Sequence, residues 1–133
     1  MTKKMFLLAI VVPLFSLLAV GQKAIPRHAI TEDEAMDMVM RIPEVKKSCA
    51  YFEKKTHGER HLYPLVYGEP DSTHRYYWIA VGEDNGMSFV THFGFFVYIK
   101  TGKIFYYDTL TGAEIDLRTW RKRLAKNNST KHT

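Results

Sequence analysis

The chain has 133 residues, of which 46% are hydrophobic and 25% charged, a balance that excludes a disordered or fibrous protein and fits one small globular domain. A formal net charge of +5 is too mild for a dedicated nucleic-acid binder. Cys49 is the single cysteine, which excludes an internal disulfide and leaves packing to hold the fold.

The N-terminus has the three parts of an export signal. Lys3 and Lys4 give a positive start, Phe6 to Val20 is apolar except for Pro13 and Ser16, and Ala19-Val20-Gly21 offers small residues to a signal peptidase. The run falls short of the ~20 apolar residues that span a bilayer, which favours a cleaved signal over a retained anchor. Cleavage is expected after Gly21, with Gln22 as the new N-terminus and a periplasmic or secreted product. No cysteine near that site supports a lipid anchor. Removal of residues 1–21 takes two of the 19 basic residues and none of the 14 acidic ones, so the charge falls to +3 on 112 residues. The membrane is then a partner only through the signal, before cleavage.

Residues 22–30 read as an extended lead-in. Thr31-Glu32-Asp33-Glu34 is a capping box, in which the Thr31 hydroxyl and the Glu34 carboxylate satisfy each other's backbone N–H groups. Ala35, Met38, Val39 and Ile42 follow at helical spacing, and Pro43 stops or bends the helix at Ile42, with room for one more turn over 44–47. From there to Asp108 the pattern predicts strands at Cys49–Lys55, His61–Tyr67, Arg75–Val81, Phe89–Lys100 and Lys103–Asp108. Pro64 marks the second as an edge strand or a bulge. Gly82–Gly86 and Thr101-Gly102 read as turns, as does Thr111-Gly112. Asp116 caps a short basic helix whose apolar face is Leu117, Trp120 and Leu124. The polar residues 127–133 read as a frayed tail. The expected architecture is one α+β domain over residues 22–126. Its antiparallel sheet has four to five strands, with an N-terminal helix packed on one face and a short C-terminal helix.

Motifs for catalysis are thin. His57-Gly58-Glu59-Arg60-His61 frames a glutamate with two histidines, which on a helix would share a face for a metal. On an extended strand they would stand ~13 Å apart. His74 and His92 are isolated. Ser88 with Asp84 and His92 lacks the strained turn of a nucleophile elbow. Glu83-Asp84-Asn85-Gly86 lacks the distal bidentate glutamate of a calcium loop. Asn128-Ser129-Thr130 matches a glycosylation acceptor by pattern alone. Cys49 reads as a small buried hydrophobe, with an intermolecular bridge or a reactive thiol as the alternatives. No cofactor, metal site or catalytic residue is implied.

The strands themselves are more informative. In Phe89–Lys100 one parity, Phe89, Thr91, Phe93, Phe95, Val97 and Ile99, is core. The other, Val90, His92, Gly94, Phe96, Tyr98 and Lys100, still holds two aromatics, and Phe105 and Tyr107 repeat the pattern next door. A sheet wetted on one side should alternate cleanly. Either helices and lead-in cover the second face, or tyrosines lie over it with their hydroxyls in water, or part of it is a contact surface for another protein, where aromatics dominate hot spots. The candidate binding residues are Trp78, Phe96, Tyr98, Phe105 and Tyr107, with Arg121 and Arg123 of the basic helix as steering charges.

Three segments resemble PepSY-like domains: Ile30–Ala35 at the helix start, Tyr76–Val81 as the central strand, and Val97–Ile104 as the closing hairpin, spread over roughly residues 30–108. The resemblance implies a small non-catalytic secreted module associated with restraining peptidases. In plan the chain is also similar to periplasmic immunity proteins, which plug the active site of a toxin. The expected function is therefore binding and restraint of another exported protein, a hydrolase or toxin. The alternatives are a small metal-dependent hydrolase using His57, Glu59 and His61, or an envelope-binding module using the basic helix.

Overall fold

The computed structural model describes residues 28–130; the expected export signal lies outside them. The elements run α1 (Glu32–Met40), α2 (Pro43–Lys55), β1 (Tyr63–Gly68), β2 (Tyr76–Asp84), β3 (Phe89–Tyr98), β4 (Ile104–Asp108), β5 (Ala113–Asp116) and α3 (Leu117–Thr130). The strands form one open antiparallel sheet in the order β1-β2-β3-β4-β5. The fold is α+β.

Helix α1 starts as its sequence requires. The Thr31 hydroxyl accepts from the Glu34 N–H at 3.3 Å, and the Glu34 carboxylate accepts from the Thr31 N–H at 2.8 Å. Pro43 ends this helix and begins the next, occupying the first turn of α2 where its missing N–H costs nothing. Residues Cys49–Lys55 are therefore helix, and the strand expected there does not exist. Val45, Cys49 and Phe52, at i, i+4 and i+7, form the face that packs on the core.

One face of the sheet is covered: α1 lies across β1, β2 and β3, and α3 across β4 and β5. Between them sit Ala35, Val39, Ile42, Val45, Ile79, Val81, Phe95, Val97 and Ile115. Trp120 anchors α3. Its ring stacks on Tyr106 at 4.7 Å and 12° and meets Phe95 and Phe93 edge-on at 5.7 and 6.1 Å. Asp116 caps the helix through the Thr119 N–H at 3.0 Å. Leu124, expected on the same buried face, stays exposed, and α3 continues to Thr130 through the first residues of the expected tail.

Two further differences matter for the surface. Gly82 is in β2 rather than in a turn, and β2 continues to Asp84. Opposite it β3 carries an extra residue: Val81 pairs with Phe93 and Gly82 with Thr91, leaving His92 unmatched. This bulge reverses the parity of the strand. Phe89 and Thr91, expected in the core, stand on the opposite face, where Phe89 meets Tyr63 and Tyr67, and Thr91 meets the Tyr67 hydroxyl. The fifth strand is Ala113–Asp116, which the sequence reading leaves unassigned.

Two substitutions test this packing. Trp120→Ala should lower stability by about 3–5 kcal/mol in denaturant unfolding, since it removes a buried aromatic. A Cβ at position 82 would lie 2.0 Å from the Val90 carbonyl oxygen. Gly82→Ala should therefore destabilise by at least the ~1–3 kcal/mol typical of overpacking, and a neutral result in the same assay would refute the bulge.

Candidate functional site: the outer aromatic face

The face of the sheet opposite α1 and α3 carries no helix among the described residues. Its side chains follow from strand parity. In β2 these are Tyr76, Trp78 and Ala80; in β3, Gly94, Phe96 and Tyr98; in β4, Phe105 and Tyr107. Phe96 pairs in register with Trp78 on one side and with Phe105 on the other. Gly94 lies in the next row, and a Cβ there would touch Tyr107 at 3.4 Å and the Trp78 Nε1 at 3.6 Å. The lack of a side chain lets the two rings from the flanking strands meet over the backbone, 5.3 Å apart and nearly perpendicular.

The contacts then run on without a gap. Phe96 meets Tyr76, Trp78 and Tyr107 at 4.5, 5.9 and 5.2 Å. Tyr98 joins Tyr76 to Phe105. In the other direction Tyr67 touches Trp78, and through Phe89 the chain of rings reaches Tyr63. Nine aromatic side chains make one surface. Edge-to-face geometry adds about 0.5–1.5 kcal/mol per pair beyond buried area.

The structure brings Trp78, Phe96, Tyr98, Phe105 and Tyr107 together as expected from sequence. Their exposure differs. Phe96 is 6% exposed and forms the floor, while the others are partly open. The most accessible part of the surface lies on β1: Tyr63, Leu65 and Tyr67 are 40%, 39% and 44% exposed. The sequence reading missed these three, although their spacing at i, i+2 and i+4 was the available signal. Phe89 was hidden by the bulge.

Arg121 and Arg123 are not part of this surface. Both lie on α3, on the covered side. Arg121 makes a two-pronged bond to Glu44 of α2, Nε to Oε1 at 2.5 Å and Nη2 to Oε2 at 3.1 Å. That bond holds the Glu44 carboxyl below its ordinary range. Arg123 Nη1 stands 3.9 Å from Asp108. The histidines are also dispersed. His57 ends α2 with a φ of 54°, His61 faces Glu53 at 3.7 Å, and His92 faces Glu83 at 3.6 Å. No group of three His, Cys, Asp or Glu able to hold a metal occurs among the described residues. No helix among them is long and apolar enough to cross a membrane.

The Tyr98 hydroxyl sits at one end of the face and donates to Glu114 at 2.9 Å. Burial, and then that bond, push its phenol from 10.0 up to about 12. The unfolded chain loses this proton near pH 10 while the folded chain keeps it. Stability should therefore fall as pH rises through that window, and Tyr98→Phe should remove part of the fall in denaturant unfolding above pH 10. Comparison of the chain with protein-family models, with curated proteins and with solved structures finds no match.

Proposed function

We propose that the chain is an exported, non-catalytic protein that binds and restrains another envelope or secreted protein, such as a peptidase or cell-wall hydrolase, in the manner of an inhibitor or immunity protein. The observation that carries this reading is the outer sheet face. Nine contiguous aromatics, with Leu65 beside them, lie on the side that no described helix covers. Patches of this kind mark interaction sites, and Tyr, Trp and Phe supply large contact area at low entropic cost. The resemblance of three short segments within residues 30–108 to PepSY-like modules, and the export signal read at residues 1–21, point the same way.

The face also has the make-up of a hot spot. A buried floor (Phe96) is surrounded by half-open rings, and two of the tyrosines are fixed through their hydroxyls, Tyr67 with Thr91 and Tyr98 with Glu114.

A photo-crosslinking residue in place of Tyr67 should trap the partner in an envelope extract, whereas one in place of Tyr51, on the helix side, should not. Trp78→Ala should weaken binding to that partner by about 2–4 kcal/mol, with a smaller change in stability. The purified partner's hydrolytic activity should drop when the chain is added. Equal trapping from positions 67 and 51, or full partner activity in the complex, would refute the proposal.

A further inference from the structure

The opposite side of the sheet carries a separate feature. The C-terminal part of α2, the segment 56–62 and the start of β3 enclose a hollow of about 450 Å³. Its apolar lining is Phe52, Leu62 and Phe93, its charged lining is Lys55 and Arg60, and the His92 imidazole stands beside them. The Arg60 guanidinium lies over the Phe52 ring, 5.3 Å from its centre. The Thr56 hydroxyl fixes the backbone below it, accepting from the Arg60 N–H at 3.2 Å and donating to the Phe52 carbonyl at 3.0 Å.

Beside this hollow is Glu83, the only buried charged residue among those described, 4% exposed. Its Oε1 pairs with Arg60 Nη2 at 2.5 Å and faces His92 Nε2 at 3.6 Å. Its Oε2 is buried with no hydrogen-bond partner. A half-satisfied buried carboxylate costs stability, and an apolar residue of similar size would avoid that cost. Glu83 does, however, hold Arg60 and His92 at the hollow. It engages one nitrogen of a guanidinium that carries five N–H donors, and the Arg60 side chain remains 47% exposed.

Ser48 and Phe93 also line a second hollow, of about 490 Å³, between α2 and α3 and bordered by Lys47 and Arg121. The two hollows adjoin along α2 across this shared border, as a two-part channel. Of the carboxylates near it, Glu44 is matched to Arg121 and Glu83 to Arg60. Lys47 and Lys55 leave the channel with surplus positive charge.

We propose that this channel binds the C-terminal end of an extended peptide. The terminal carboxylate meets Arg60 and Lys55, an apolar last side chain rests on Phe52, Leu62 and Phe93, and the preceding residues pass Ser48 toward Lys47 and Arg121. The charge surplus calls for a carboxylate, the floor calls for an apolar side chain beside it, and the length of the channel favours a peptide over a single small acid. The site lies across the sheet from the aromatic face and does not depend on it.

Calorimetric titration of the purified chain with acetyl-Ala-Ala-Phe, as free acid and as C-terminal amide, tests this. The acid should bind about tenfold more tightly than the amide, the worth of a charge-assisted hydrogen bond. Its amide-resonance shifts should fall on Phe52, Thr56 and His92 and not on Tyr107. Lys55→Gln, which leaves Glu83 paired, should move the acid toward the affinity of the amide. Arg60→Gln should do so more strongly if the variant folds. Equal affinity of acid and amide, no binding of either at millimolar concentration, or shifts on the outer face would overturn the proposal. Phenylpropionate binding as tightly as the tripeptide acid would overturn the peptide assignment.

Discussion

The distribution of side chains between the two surfaces depends on one close approach, that of the β2 backbone at Gly82 to the Val90 carbonyl of β3. Only a residue without a side chain allows it. The extra residue it admits, His92, shifts the phase of β3 by one. On one side of that point Phe93, Phe95 and Val97 point into the core. On the other, Phe89 and Thr91 turn outward to extend the aromatic face, while Glu83 and His92 turn toward α2. Without the bulge, Phe89 would sit beneath the helices and His92 would stand among the outer rings. A single backbone contact thus separates an apolar contact surface from a charged hollow.

A sheet with helices on one side has to stabilise its other side by different means. Here the outer rings do so themselves, edge against face, from Tyr63 to Phe105. The surface is therefore ordered by its own ring contacts, which would lower the entropy cost of the binding proposed for it. On the helix side, Trp120 and the Glu44–Arg121 bridge tie α3 to the sheet and to α2. Cys49 contributes packing from α2. Burial pushes its thiol up, away from the reactive thiolate form.

Much of this was legible from residue type and spacing. The Thr31 capping box, the Asp116 cap, the three central strands and the burial of Trp120 follow from local rules whose partners are close in sequence. The misreadings have physical causes. Pro43 reads as a stop or bend with room for only one more turn over 44–47, though a proline that ends one helix also suits the first turn of a full second one, and the aromatics downstream pull Cys49–Lys55 toward strand. Strand β5 offers one buried residue, Ile115, too little for a periodic signal. The bulge was illegible because it depends on how two strands meet, and a glycine in sequence does not say whether it turns the chain or admits a neighbour. For the same reason Phe89, Tyr63 and Tyr67 were not assigned to the candidate site, while Arg121, read as a steering charge, has its carboxylate partner 77 residues away.

Pro64 has one more consequence. It lies in β1, an outermost strand of the sheet, where neighbouring chains can add by backbone pairing. A proline offers no N–H to such a visitor, and its ring pushes an incoming strand away. At the far edge β5 is only four residues long and exposes Glu114. Both borders thus resist fibril-like or strand-exchange growth. A molecule so rich in tyrosine and phenylalanine can keep an apolar surface in water without polymerising through its edges.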